Sequence, residues 1–264
     1  MKTISSTQNP FIKQIAKLYE KSSERKKKSL FVVEGKREVL LALEGNYEFE
    51  QIIICPEIYT EDSFSIELKD ACEEIIEVTK AVYEKIAYRK STEGIMGIAK
   101  YKSHSLQDIK LSNNPLILVA EGIEKPGNLG ALLRTADAAK VDAVFLADGK
   151  CDLYNPNVIR SSIGCVFTNQ IVAGSTEELI DFLNQNNISI YAATLQNSNT
   201  YTKENYSYPT AIAVGSEANG ISKPWRETSR KNINIPMQGI IDSMNVSVSA
   251  AILIFEAKRQ RNFK

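Results

Sequence analysis

From Pro115 to Arg261, strand-sized apolar runs alternate with helical segments, and this alternation constrains the fold more than any other feature. PLILVAE, AVFLAD, NQIVA, ISIYAATL, TAIAVGSE and INIPM are the apolar runs, and helical spacing marks residues 127–140, 155–163, 177–186, 223–230 and 246–261. In the first of these helices Leu129, Leu132, Leu133 and Ala136 fall on one face. About six strands separated by helices predict a mostly parallel sheet, in an α/β fold with helices on both faces. Ligands of such a sheet sit beyond the carboxyl ends of its strands. Chemistry is therefore expected in the loops EGIEKPGNLG, VGSEANGIS and PMQGIIDSMN. Each follows a strand, precedes a helix and is rich in glycine and small polar residues, a composition suited to backbone bending closely round a ligand.

The first hundred residues alternate more weakly. Phe11, Ile12, Ile15, Leu18 and Tyr19 recur at helical spacing, and the run RKKK is expected to end that one helix. SLFVVEG reads as a buried strand, KREVLLALE as a helix and QIIICP as a strand; IIEVT, KAVYEKIAYRK and GIMGIAKY continue as strand, helix and strand. This predicts a small α/β domain over residues 1–100. The polar stretch YKSHSLQDIKLSNN, residues 101–114, reads as a linker, and residues 115–264 as the larger domain.

Charge and composition narrow the function. The 32 basic and 32 acidic side chains cancel, but residues 1–37 hold ten Lys or Arg against three Glu, a local balance of +7. A basic arm on a neutral protein suits contact with phosphates, and Lys26, Lys27, Lys28 and Arg37 are its candidate contact residues. The alternative is a solvated helix face. No apolar run reaches the ~18 residues of a membrane span, and the start carries no secretory apolar core. Four cysteines without a CxxC pair read as reduced thiols in the cytoplasm, with no structural zinc or other metal expected.

Several familiar site patterns fail. The single histidine, His104, lies in the polar linker, away from the three loops. Gly215 and Gly220 have P-loop spacing, but Ile221 and Ser222 stand where that loop needs Lys and Ser or Thr. A GxGxxG fingerprint is absent. What remains for chemistry is Asn128, Arg134, Glu217, Ser243 and Asn245. Singly each has an ordinary alternative, as a helix cap or a surface side chain. Jointly they converge on one sheet edge.

These five residues stand in three ordered motifs that resemble those of the SpoU/TrmH class of SPOUT RNA methyltransferases. KPGNLGALLRTA (125–136) carries Asn128 and Arg134, AVGSEANGIS (213–222) carries Glu217, and IPMQGIIDSMNVSVS (235–249) carries Ser243 and Asn245. The likeness covers most of residues 115–261. The first hundred residues resemble the substrate-binding extension of several members. Lys125 departs from the pattern, where many members have Asp, as does Met244 where Leu is usual.

The resemblance implies S-adenosylmethionine-dependent methylation of a ribose 2′-hydroxyl in structured RNA, with ribosomal RNA favoured over transfer RNA. It implies a carboxyl-terminal trefoil knot, against the general rule that chains are unknotted, and a homodimer. Catalysis would fall to Arg134, Asn128, Glu217, Ser243 and Asn245, and cofactor binding to Leu195, Gly215, Ile235, Met237 and Met244. Arg134 would act either as base or as a charged group stabilising the developing alkoxide, the second being favoured because a guanidinium holds its proton. The competing readings are a transfer RNA enzyme, a methyltransferase acting on a base nitrogen, and a non-catalytic RNA-binding assembly factor.

Overall fold

A computed structural model describes residues 2–60, 72–89 and 93–264. The chain forms two compact units: residues 1–102 with 152–168, and residues 103–151 with 169–264.

The first unit has a five-stranded mixed sheet. Its strands are β1 (Lys2–Ile4), β2 (Leu30–Glu34), β3 (Phe49–Ile54), β4 (Cys72–Val78) and β5 (Ile95–Lys100), in the order β1-β4-β3-β5-β2. β5 pairs antiparallel with β2 and β3, while β4 runs parallel to β1 and β3. The helix Pro10–Glu20 starts on an Asn9 cap with proline in its first turn and buries Ile12, Ile15 and Leu18. It does not continue through RKKK as the sequence suggested. Lys21 takes an extended conformation and a second helix, Ser22–Lys28, begins. Arg25 accounts for the break: its Nη1 donates to the carbonyls of Leu18 (2.6 Å) and Tyr19 (3.0 Å), which the ended helix leaves without partners. Its Nε and Nη2 donate to Asp152 at 2.8 and 2.6 Å. Arg25 is thus buried, not part of the basic surface. The expected helix 80–90 spans Lys80–Ile86; Lys90 lies outside the described residues.

Residues 152–168 complete this unit. Tyr154 stacks on Phe31 with 4.0 Å between centroids, and Tyr47, Tyr101 and Phe167 close round the same ring. Fully burying an aromatic ring of this size contributes about 1.5–3 kcal/mol, enough to decide where the segment packs. The sequence reading had grouped it with residues 115–264.

The second unit is a seven-stranded, wholly parallel sheet. β6 (Leu116–Glu121), β7 (Ala143–Ala147), β8 (Ile171–Gly174), β9 (Ser189–Ala193), β10 (Ser198–Thr200), β11 (Thr210–Val214) and β12 (Lys231–Asn234) follow the order β10-β12-β9-β11-β6-β7-β8. Every residue of β6, β7 and β11 is buried, as expected of strands covered on both faces. Ile117, Val119, Phe145 and Ala213 face a core completed by Leu179 and Leu183 of the helix Thr176–Gln185 and by Trp225. The helices Pro126–Ala138 and Val246–Gln260 pack together and onto β6, β7 and β11. Seven strands replace the expected six because SNT, at the sheet edge, has no apolar signature to read. Within 103–114, Leu106, Ile109 and Leu111 pack against this core, so the polar stretch is tied down at intervals.

Candidate active site

Three loops meet at the carboxyl edge of the parallel sheet. The first leads from β6 into the helix Pro126–Ala138, whose first turn carries Asn128. The second follows β11 at Val214 and closes on itself, the Gly220 N–H donating to the Ser216 carbonyl at 2.8 Å. Two glycines make that closure feasible. A Cβ on Gly215 would lie 2.1 Å from the Gly220 carbonyl, and Gly220 itself has φ +63°. The third runs from the end of β12 to Asn245, whose side chain caps the helix Val246–Gln260 by accepting the Ser247 N–H at 2.9 Å.

One carboxylate ties the loops together. Glu217 Oε1 accepts the side-chain amide of Asn128 at 2.6 Å and that of Asn245 at 3.1 Å, and Asn245 also donates to Asn128 Oδ1 at 3.1 Å. Lys125 pairs with Glu217 Oε2. Hydrogen bonds from Lys125 and then Asn128 hold the Glu217 carboxyl below the ordinary carboxylate range. Behind the second loop, buried Glu121 at the end of β6 accepts the Ser222 N–H at 2.7 Å. Beside it the Thr176 hydroxyl donates to Asp148 at 2.7 Å and accepts from the Trp225 indole at 3.1 Å. Glu121 was not singled out from the sequence; the signal was an acidic residue ending an otherwise apolar strand just before a glycine-rich loop.

The loops enclose a cleft of about 560 Å³. Leu195, Gly215, Ile235, Met237 and Met244 all line it, as do Glu217, Ser243 and Asn245. Thr194 and Leu195 fall just beyond β9, and Ile235 and Met237 just beyond β12. Arg134 does not line the cleft. It is exposed on the Asn128 helix, six residues further along and so about 240° round its axis. In the first unit Lys26, Lys27 and Lys28 are exposed on the helix Ser22–Lys28. Arg37 is half exposed and pairs with Glu38 at 3.0 Å. His104 Nδ1 lies 3.2 Å from the Ile171 carbonyl, a structural position at β8. Among the described residues no three His, Cys, Asp or Glu side chains are grouped to hold a metal ion.

Residues 115–255 match the SpoU rRNA Methylase family, and residues 9–97 match the MRM3-like substrate binding domain. The chain belongs to the SpoU rRNA methylase family. It is 30% identical over 258 residues to the 23S rRNA (guanosine(2553)-2'-O)-methyltransferase RlmP of Bacillus subtilis, covering 98% of this chain and 100% of that one. Among solved structures, an RNA 2'-O ribose methyltransferase superposes with a TM-score of 0.84 at 41% identity, covering 98% of this chain and 99% of that one. The AdoMet-bound rRNA methyltransferase from Sinorhizobium meliloti gives 0.89 at 26% identity, over 98% and 97% of the two chains.

The cleft suits the cofactor of this family. Its volume lies in the range of small-molecule sites. Leu195, Ile235, Met237, Met244 and Leu253 offer apolar contact for an adenine, and Asp242 and Glu217 offer carboxylates for a cationic ligand. Gly215 lets backbone N–H and C=O groups line the wall where a side chain would obstruct them.

Proposed function

We infer that this chain transfers the methyl group of S-adenosylmethionine to a ribose 2′-hydroxyl of ribosomal RNA. The observation that carries this reading is the meeting of Asn128, Glu217 and Asn245, one from each loop, at the rim of an apolar cleft on the carboxyl edge of the sheet. S-adenosylmethionine supplies an electrophilic methyl group on a sulfonium. The chain's own share is then positioning, because in-line displacement depends on alignment of nucleophile and carbon. Leu195, Gly215, Ile235, Met237 and Met244 hold the cofactor, and Glu217 fixes Asn128 and Asn245 so that their remaining polar atoms, with Ser243, orient the ribose.

Arg134 serves in this reading as the charged group that stabilises the developing alkoxide and grips an adjacent phosphate. Because Arg134 lies off the cleft of its own chain, we place it at the contact of a homodimer, serving the cleft of a second copy. Val248 and Phe255, exposed and two turns apart on the helix Val246–Gln260, leave an apolar strip that suits this pairing. The trefoil knot belongs to the same proposal. It is supported by the position of β12, between β10 and β9, while the loop that follows it returns beside Asn128. Residues 1–100 are assigned to RNA binding through Lys26, Lys27, Lys28 and Arg37, residues 101–114 to the connection and 115–264 to catalysis. We place the protein in the cytoplasm, in keeping with the ribosomal RNA substrate proposed for it; among the described residues no helix is long and apolar enough to cross a membrane.

Mapping 2′-O-methyl positions in total RNA with and without the gene tests the reading. A ribosomal ribose that loses its methyl in the deletion and regains it with purified protein and S-adenosylmethionine is the expected result. A site confined to transfer RNA, or a methyl found on a base, would replace it.

A further inference from the structure

Tyr88 is 41% exposed, yet three contacts of its own and one of the next residue fix it. Its ring stacks on Tyr19, with 5.7 Å between centroids and 14° between planes. Its hydroxyl donates to Asn157 Oδ1 at 2.8 Å. Its backbone N–H donates to Glu34 Oε2 at 2.9 Å, and the next, that of Arg89, donates to Glu34 Oε1 at 3.3 Å. Glu34 ends β2 and is 5% exposed; burial pushes its carboxyl up, against the two backbone hydrogen bonds. Burying a carboxylate is costly, and here the two backbone hydrogen bonds offset that cost while fixing Tyr88.

Basic side chains stand on the segments around Tyr88. Buried Glu38 accepts Arg89 Nη2 at 2.7 Å and Arg37 Nη2 at 3.0 Å, which holds both guanidinium groups near the loop. Arg160 is exposed one helical turn beyond Asn157. Glu93, exposed as well, accepts the Lys36 backbone N–H at 2.7 Å. An exposed aromatic face, with guanidinium groups on neighbouring segments, is chemistry suited to unpaired bases and their phosphates.

We propose that Tyr88, backed by Tyr19 and followed in the chain by Arg89, is a stacking platform for an unpaired nucleobase of the RNA substrate. The proposal rests on the RNA methyltransferase reading above and deepens it: recognition includes a base splayed out of the helix, not only phosphates. Tyr88 is a binding residue, remote in sequence from all three motif loops.

The test is titration of a labelled oligoadenylate of about 12 nucleotides, followed by anisotropy at two salt concentrations, with methyl transfer to rRNA from cells lacking the gene measured in parallel. Tyr88→Leu is expected to weaken oligonucleotide binding about tenfold with an unchanged salt slope, while Tyr88→Phe stays within about twofold because the ring remains. Arg37→Gln is expected to flatten the slope by about one phosphate contact. In the unaltered protein, a 4-thiouridine oligonucleotide should crosslink to the peptide carrying Tyr88. Wild-type affinity in Tyr88→Leu, no oligonucleotide binding by the unaltered protein, or crosslinks confined to other peptides would overturn the platform. Tyr88-dependent binding without methyl transfer to any ribose would support the platform and overturn the transferase reading instead.

Discussion

Asn128 donates to Glu217 Oε1 at 2.6 Å although 89 residues separate them. That contact joins the first turn of one helix to the loop after β11, and Asn245 brings the third loop to the same oxygen. Glu217→Ala removes the common acceptor and leaves three donors, including Lys125, without it. Methyl transfer is expected to fall roughly 10–100-fold from misalignment. The KM for S-adenosylmethionine should rise less, because Glu217 is only part of the cleft wall. Steady-state kinetics of the variant provide the check; unchanged kcat would remove Glu217 from the alignment.

Arg134 and Glu217 can be separated by mixing variants. Arg134→Ala is expected to abolish transfer while leaving cofactor affinity, read by calorimetric titration, nearly unchanged. If Arg134 acts on the cleft of a second copy, refolding Arg134→Ala together with Glu217→Ala should restore about a quarter of wild-type activity, from one intact site in each mixed dimer. A mixture as inactive as its components would place Arg134 in its own chain's site or outside the chemistry.

Gly215→Ala places a methyl group 2.1 Å from the Gly220 carbonyl, where backbone, not a flexible side chain, must move. A stability loss of about 1–3 kcal/mol is expected, with at least a roughly tenfold weaker grip on S-adenosylmethionine as the loop opens. Thermal unfolding and calorimetry of the one variant measure both.

Glu38 and Glu34 should give the first unit opposite responses to pH. Burial pushes Glu38 up, but hydrogen bonds from Arg89 and Arg37 outweigh it and leave the carboxyl below its ordinary value. Its contribution to stability is therefore present above the unfolded carboxylate pKa and lost as pH falls through the lower folded value. Glu34, raised by burial, contributes stability below its unfolded pKa, and this is lost as pH rises through the higher folded value. Urea unfolding from pH 3 to 7 should show Glu38→Gln destabilised by about 2 kcal/mol at neutral pH and less in acid. A constant difference across that range would contradict the assignment.

The basic arm is tested by salt. Neutralising Lys26, Lys27 and Lys28 together is expected to weaken RNA binding and reduce the log–log salt slope by up to about 2. An unchanged slope would make these lysines a solvated helix face.

What the sequence disclosed follows from where its signals are local. Strands such as Leu116–Glu121 are apolar throughout because both faces are covered, so β6, β7 and β11 could be read directly. The cleft residues could be found because their loops carry compact motifs. Strand β10, with the sequence SNT, lies at an edge and asks nothing apolar of its residues. The break at Lys21 depends on Arg25 reaching Asp152, 127 positions away, which no window of sequence contains. The joining of Asn128 to Glu217 is equally remote: the strand pattern brought their loops to one sheet edge, but not the two side chains into contact. Tyr88 had no motif at all; its meaning comes from Glu34, Tyr19 and Asn157 arriving from three distant stretches.

The aromatic packing of Tyr154 and Phe167 on Phe31 bears on how such a protein can be inherited. A single recombination crossover near residue 102 would deliver the amino-terminal module without the rings that seal it and without the carboxylate that neutralises Arg25. Gene fusion alone therefore cannot graft this module onto a foreign catalytic body: the recipient must already own, or simultaneously acquire, a matching seventeen-residue insert after its second parallel strand.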